Sequence, residues 1–212
     1  MKTLSIIGAG GHGGAVADAA ARGGQWSTIE FYDDRVPAGS EVFGFPVRGN
    51  VDELFAKIES REGARETFVA VGDNMRRLAL ARRILAAAAP LATIIHPAAT
   101  VGARVEIGAG SVLMAGSVIN IASRLGIACI VNTRAGIDHE CIIGDGVHVC
   151  PGVSLAGQVT IGDLAWIGIG SAIIQRRRIG ARAFVGAGSV VIRDIEEGVK
   201  VVGNPARVLR ND

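Results

Sequence analysis

The stretch Val101-Gly102-Ala103-Arg104-Val105-Glu106-Ile107-Gly108-Ala109-Gly110-Ser111-Val112-Leu113 opens a period of six that runs without a slip to Val191. Aliphatic anchors stand at Val101, Ile107, Leu113, Ile119, Leu125, Val131, Ile137, Ile143, Val149, Leu155, Ile161, Ile167, Ile173, Ile179, Val185 and Val191, and Ile95 extends the register one step back. The residue four after an anchor is mostly small, as at Ser111, Ser117, Cys129, Ala135, Cys141, Ala165, Ser171, Ala183 and Ser189. Glycine follows many anchors, among them Ile107, Ile143, Ile161, Ile167, Ile179 and Val185. A hexad of this kind makes one short strand and a bend, so three hexads close a triangular coil of about eighteen residues, and coils stack at about 4.8 Å. The pattern predicts a parallel β-helix whose anchors fill a prism too narrow for anything but aliphatic and small side chains. The glycines suit bends that need positive φ or close backbone approach. The hexads are expected to run to about Glu196, followed by a capping turn from Gly198 to Arg207, and Arg177, in a normally small position, predicts a bulge in its hexad.

Upstream of the solenoid the pattern changes. Leu4 to Ile7 reads as a buried strand, Gly8-Ala9-Gly10-Gly11-His12-Gly13-Gly14 as a glycine-rich turn, and Ala15 to Arg22 as the helix it opens. Glycines let a backbone approach a ligand closely, and free N–H groups at a helix start favour anionic oxygens. A second strand, Ile29 to Tyr32, ends in Asp33-Asp34, an acidic pair placed where such folds meet a ribose hydroxyl or a base edge. A helix over Val51 to Ile58, a strand over Thr67 to Val71 and a helix over Asn74 to Ala89 complete a small parallel βαβαβ unit. The fold class is therefore α/β plus all-β: a Rossmann-like unit over residues 1–92, then the β-helix over residues 93–212. A dinucleotide dehydrogenase would need a second mononucleotide half. The α/β unit ends near residue 90, so a single nucleoside diphosphate fits it better, although a tight turn without a ligand has the same glycine pattern.

Composition narrows the partners. Lys and Arg number 22 against 20 Asp and Glu, for a formal net charge of +2, and no basic run interleaves with aromatics, so nucleic acid is not an expected partner. Aromatics make up only 4% while glycine numbers 30, which fits a glycine-rich solenoid. The apolar run Ile84 to Ile95 is broken by Pro90 and too short to span a bilayer, and the N-terminus does not read as a signal peptide, so a cytoplasmic location without membrane insertion is expected. Cys129, Cys141 and Cys150 fall at or beside interior positions and read as buried reduced thiols.

Both halves together resemble the bacterial nucleotide-sugar acyltransferases of the hexapeptide-repeat superfamily, which include sialic acid O-acetyltransferases and UDP-4-amino-sugar N-acetyltransferases of the bacillosamine type. The resemblance is carried by Gly8 to Gly14, Asp33-Asp34, Val71-Gly72-Asp73-Asn74, Asn132-Thr133, Asp138-His139-Glu140-Cys141, His148 and Gly203-Asn204-Pro205-Ala206. It implies a left-handed β-helix, a homotrimer with active sites between subunits, acetyl-CoA as donor and a nucleotide-linked amino sugar as acceptor. It also implies a catalytic base at His139 with Glu140 beside it. Substrate contacts are implied at Gly10, Gly11, His12, Gly13, Asp33, Asp34, Asn74, Asn132 and His148, and acetyl-CoA contacts at Gly157, Ile169, Ala187, Asn204, Pro205 and Arg207.

The polar corner Asp138-His139-Glu140 suits that chemistry on its own terms. Acyl transfer from a thioester to an amine needs an uncharged nucleophile, a group that takes its proton and donors for the tetrahedral oxyanion. An imidazole, which titrates near neutrality, suits the second role, and either Asp138 or Glu140 can orient it. One coil beyond His139 stands Gly157, expected to leave open space beside the ring and to offer an amide to the oxyanion. A coil further, Arg176, Arg177 and Arg178 form either a site for CoA phosphates or a solvated corner. His148 lies half a coil from His139, so the two could meet only across a subunit interface. Asp73 selects the sugar or simply leads a helix capped at Asn74. A zinc site would need converging imidazoles, and the spacing of His96, His139 and His148 gives none, so no metal is expected. The expected activity is N-acetylation of a UDP-linked 4-amino-4,6-dideoxy sugar in glycan biosynthesis. The alternatives are O-acetylation of the sialic acid type, N-acetylation of GDP-perosamine, and a non-catalytic nucleotide-sugar sensor or scaffold.

Overall fold

The computed structural model describes residues 2–61, 63 and 65–209. The chain forms two compact units, Met1–Pro97 and Ala98–Asp212. The first unit thus extends five residues past the expected boundary at residue 92.

The first unit runs β1 (Thr3–Ile7), α1 (Gly11–Gly23), β2 (Thr28–Tyr32), β3 (Glu41–Val42), β4 (Phe45–Gly49), α2 (Val51–Glu59), β5 (Arg65–Val69) and α3 (Asn74–Ala86). Leu4, Ile6 and Ile7 are fully buried because β1 is an interior strand, parallel to β2 on one side and β5 on the other. The sheet order is β3-β4-β2-β1-β5. Two strands lie outside the expected βαβαβ set. β4 adds to β2 in parallel, and β3 pairs with β4 across a two-residue turn in which Phe43 and Gly44 both take positive φ. Helix boundaries also shift. The glycine turn is itself the first turn of α1, and α3 stops at Ala86 because Ala88 turns left-handed. Asp73, not Asn74, caps α3: its carboxylate accepts the Arg76 amide at 2.7 Å.

The second unit is a triangular stack of two-residue parallel strands, closed by the three-residue strand Lys200–Val202 and the antiparallel Arg207–Val208. Anchors as far as Ile173 pair with the residue eighteen further on: Ile119 with Ile137, Leu125 with Ile143, Val131 with Val149, Ile173 with Val191. Three faces result, one through Ile119, Ile137, Leu155 and Ile173, a second through Leu125, Ile143 and Ile161, a third through Val131, Val149 and Ile167. The anchors from Leu113 to Val191 are at most 5% exposed, so burial is continuous along the prism. The small residues four after an anchor are buried too, and they tie coils together: Ser123 Oγ donates to the Asp138 carbonyl and Ser171 Oγ to the Gly186 carbonyl. Cys129, Cys141 and Cys150 are buried free thiols, and burial pushes the Cys150 thiol up to about 12.

The structure separates two demands that the sequence merges in its glycines. Glycines just after an anchor have ordinary φ and lie against the next coil: a methyl on Gly162 would come within 2.6 Å of the Ala181 nitrogen. Positive φ falls two residues later, at the third position after the anchor, where Glu140, Gln158, Leu164 and Arg176 adopt it as well as Gly146, Gly152 and Gly170. The expected bulge at Arg177 is absent, since Thr160 pairs with Arg178 and Ile161 with Ile179 in unbroken register. Space for the arginine comes from above. The next coil bridges Ile179 to Ile195, two residues early, and the Arg177 guanidinium turns to Asp194 at 3.3 Å.

Candidate active site

His139 and Glu140 stand at the corner between the first and second faces, after the strand carrying Ile137 and before the one carrying Ile143. His139 Nδ1 lies 2.9 Å from Glu140 Oε2. A carboxylate only accepts, so Nδ1 carries the hydrogen, and in the neutral ring the lone pair is at Nε2. Asp138 takes a different part: its Oδ1 accepts the His139 amide at 2.8 Å and Asn120 Nδ2 at 2.9 Å, which fixes the backbone under the imidazole. Donation by His139 and then by Gln158 holds the Glu140 carboxyl below the usual range, and the same kind of donation, from the His139 amide and then Asn120, lowers Asp138. Gly157 lies against the ring in the next coil, as the coil spacing predicts, but the space there is not open. A methyl at Gly157 would come within 2.4 Å of His139 Nε2, so the imidazole occupies the room that the missing side chain leaves. Among the described residues the Gly157 amide has no acceptor, while its carbonyl accepts from Arg176.

The other residues expected around the reaction fall elsewhere on the prism. His148 is buried on the third face, not exposed at a corner: its ring packs edge-on against Trp166 at 4.4 Å, and Asn132 Nδ2 lies 3.3 Å from its Nε2. Asn132 itself sits at the corner between the third and first faces, where its Oδ1 accepts the Thr133 amide. Ile169 and Ala187 occupy that same corner two and three coils further, both exposed, and Asn204-Pro205, joined by a cis peptide, and Arg207 follow at its end. The expected site residues of this unit are thus shared between two corners of one prism: His139, Glu140 and Gly157 at one, Asn132, Ile169, Ala187, Asn204 and Pro205 at the other, with His148 on the adjoining face. Of the three consecutive arginines, Arg176 donates to Gln158 and Arg177 pairs with Asp194.

The glycine turn of the first unit borders a separate cavity of about 330 Å³, lined by Gly8, Gly10, Asp33, Asp34, Arg35, Asp73 and Arg76 among others. Gly10 and Gly11 have open space where a side chain would be, whereas Gly13 is required for packing, with a methyl there 2.0 Å from the Gly8 carbonyl oxygen. Asp33 is largely committed to the fold. Its two oxygens accept the Ala9 and Arg35 amides at 2.8 Å. Burial pushes its carboxyl up, but the backbone donors Ala9, Arg35 and Val36, with the Arg35 charge, outweigh burial and hold it below the usual range. Asp34 accepts the Val51 amide and pairs with Arg76 at 3.1 Å across the cavity rim. Partly buried His12 is pushed down to about 4 by burial and then by the Arg77 charge, so without a ligand its imidazole is neutral near pH 7. Asn74 turns inward, accepting from Arg77 at 2.8 Å rather than lining the cavity. Arg76 and Arg77 are absent from the sequence reading. In a helix with four arginines, no pattern marks the one that lines the cavity or the buried one that donates to the Val71 and Gly72 carbonyls.

Among the described residues no group of three or more His, Cys, Asp or Glu is arranged to hold a metal, and no helix is long and apolar enough to cross a membrane. The PglD N-terminal domain family matches residues 3–84. The acetyltransferase domain of PglB from Neisseria gonorrhoeae FA1090 is similar over 98% of this chain and 99% of its own, at 40% identity and a TM-score of 0.90. That domain has also been solved in complex with acetyl coenzyme A, with a TM-score of 0.92 to this chain. PerB from Caulobacter crescentus, in complex with CoA and GDP-perosamine, is 36% identical with a TM-score of 0.89, over 98% of this chain and 97% of its own.

Proposed function

The chain belongs to the bacterial nucleotide-sugar acetyltransferases of the hexapeptide-repeat family, and from that premise we propose that it N-acetylates the 4-amino group of a nucleotide-linked 4-amino-4,6-dideoxy sugar, with His139 as base. It is an acyltransferase whose co-substrate is acetyl-CoA. The observation that carries the mechanism is the His139–Glu140 pair: Glu140 Oε2 accepts the Nδ1 hydrogen, with 2.9 Å between Nδ1 and Oε2, which leaves the lone pair of the neutral ring at Nε2, beside Gly157. The neutral amine attacks the thioester carbonyl carbon and forms the C–N bond while Nε2 takes the amine proton. The Gly157 amide donates to the oxyanion. Collapse breaks the C–S bond, the imidazolium returns its proton to the departing sulfur, and the products are amide and CoA thiol.

The nucleotide is recognised at the glycine turn, by the amides of Gly10, Gly11, His12 and Gly13 toward the diphosphate and by Asp34 and Arg76 at the cavity rim. Two corners of the prism carry the remaining expected residues, which supports a homotrimer in which one subunit contributes His139, Glu140 and Gly157 and its neighbour contributes Asn132, His148, Ile169, Ala187, Asn204, Pro205 and Arg207. A UDP-linked sugar is the first reading. A GDP-linked sugar is the second, favoured by the similarity to PerB with GDP-perosamine. The test is CoA thiol release on UDP- and GDP-linked 4-amino sugars and on sialic acid. An alkali-stable product on one amino sugar is the expected result; turnover only on a hydroxyl, with an alkali-labile ester, overturns it.

A further inference from the structure

Glu140, Gln158 and Arg176 are each eighteen residues apart and each takes positive φ, at 57°, 61° and 59°. Equal spacing places them one coil above another, and the shared left-handed backbone sends the three side chains off the corner in the same direction. They bond in series. Gln158 Nε2 donates to Glu140 Oε2 at 3.2 Å, and Arg176 Nε donates to Gln158 Oε1 at 2.9 Å. The same Glu140 oxygen accepts His139 Nδ1.

We propose that Gln158 and Arg176 are positioning residues for the base: Arg176 fixes which way the Gln158 amide points, and that amide holds the Glu140 oxygen against His139 Nδ1. The proposal rests on His139 being the base. An amide can present either its NH2 or its carbonyl to a neighbour, and only the first suits a carboxylate. Arg176, having donors alone, selects that orientation from the far side. Glu140 is half exposed and free to swing away into water; the two coils above it hold it in place, and with it the proton on Nδ1. The charged groups facing the imidazole are Asp138, Glu140 and, one side chain away, Arg176. None of these bonds is needed to close a coil, because the Gln158 and Arg176 amides already donate to the His139 and Gly157 carbonyls through the backbone. Substitution at either side chain therefore leaves the prism intact.

The test has two independent readouts on the full-length enzyme. The first needs no substrate: nitrogen-15 NMR of the four histidines across pH, in wild type, Gln158→Leu and Arg176→Leu. The expected result is a dominant Nδ1–H tautomer of neutral His139 in wild type, with the tautomer ratio falling about threefold or more in both variants. The second is steady-state turnover of acetyl-CoA with a UDP- or GDP-linked 4-amino sugar. Both variants should lose about tenfold in kcat with KM values within about twofold, and Arg176→Lys should recover most of the loss. Gln158→Glu, which sets a second carboxylate against Glu140, should move the acid limb of the pH profile upward, since added negative charge favours the imidazolium. An unchanged tautomer ratio overturns the relay, as does an unchanged kcat in Gln158→Leu when His139→Asn is inactive. Full activity in His139→Asn would instead remove the base, which separates the two failures.

Discussion

At Gly157 the absence of one methyl group decides whether the imidazole of His139 has a place to lie. A methyl there would stand 2.4 Å from Nε2 and 2.5 Å from Cε1, so Gly157→Ala must push the ring off the corner while the coil keeps its hydrogen bonds. The expected result is a loss of about a hundredfold in kcat with an unchanged melting temperature, measured by steady-state kinetics and calorimetry on one preparation. His12 gives a second test at this scale. Its folded pKa of about 4 lies below the ordinary 6.5, so between those values the unfolded chain holds more protons and stability is lost as pH falls. The unfolding free energy from denaturant titrations should drop between about pH 6.5 and 4 by an amount on the order of 3 kcal/mol, and His12→Gln should flatten that slope. His139 and Glu140 are legible as titratable residues interrupting an apolar repeat, and Gly157 because a fixed coil length turns positions eighteen apart into neighbours. Arg76 and Arg77 are not, since neither charge nor helical spacing distinguishes them from Arg82 and Arg83.

The element that repeats is the hexad, and its two kinds of glycine answer to different physics. Gly162 is packed against the next coil, within 2.6 Å of the Ala181 nitrogen for an added methyl, whereas Gly170 has φ +66° and nothing near it. Gly170→Ala should cost only the left-handed penalty of about 1–2 kcal/mol. Gly162→Ala must move backbone and should cost clearly more, or prevent folding. Thermal unfolding of the pair checks the order; equal losses would contradict the distinction. The sequence shows the period but not which glycine serves which demand, because the left-handed position accepts Glu140, Gln158, Leu164 and Arg176 once the coil is formed. Two further elements were illegible for opposite reasons. The β3–β4 hairpin is too short and too rich in glycine and proline to read as strands. The coil between Val191 and Ile195 is shortened by two residues, and this absorbs Arg177 without a bulge.

On the scale of the whole molecule, the division of the expected site residues between two corners of one prism makes a prediction about assembly. A trimer with shared sites should have a solution mass three times 21.8 kDa. Co-expression of His139→Ala with His148→Ala, each impaired as a homotrimer, should yield mixed trimers that regain part of the activity, because some interfaces then pair an intact His139 corner with an intact His148 face. Failure to regain activity would place both residues in the site of one subunit. The overall architecture was legible because a sixfold period has few structural solutions and a glycine turn between a strand and a helix has few more. The identity of the nucleotide was not, since Arg35 and Arg76, which line the cavity at the glycine turn beside Asp34, belong to no motif. The most direct measurement is kcat/KM for acetyl-CoA-dependent acetylation of a nucleotide-linked 4-amino sugar in wild type and His139→Ala. The account predicts turnover in the wild type and a loss of about a thousandfold or more in the variant. Equal activity in the two, or no acetylation of any amine by the wild type, would contradict it.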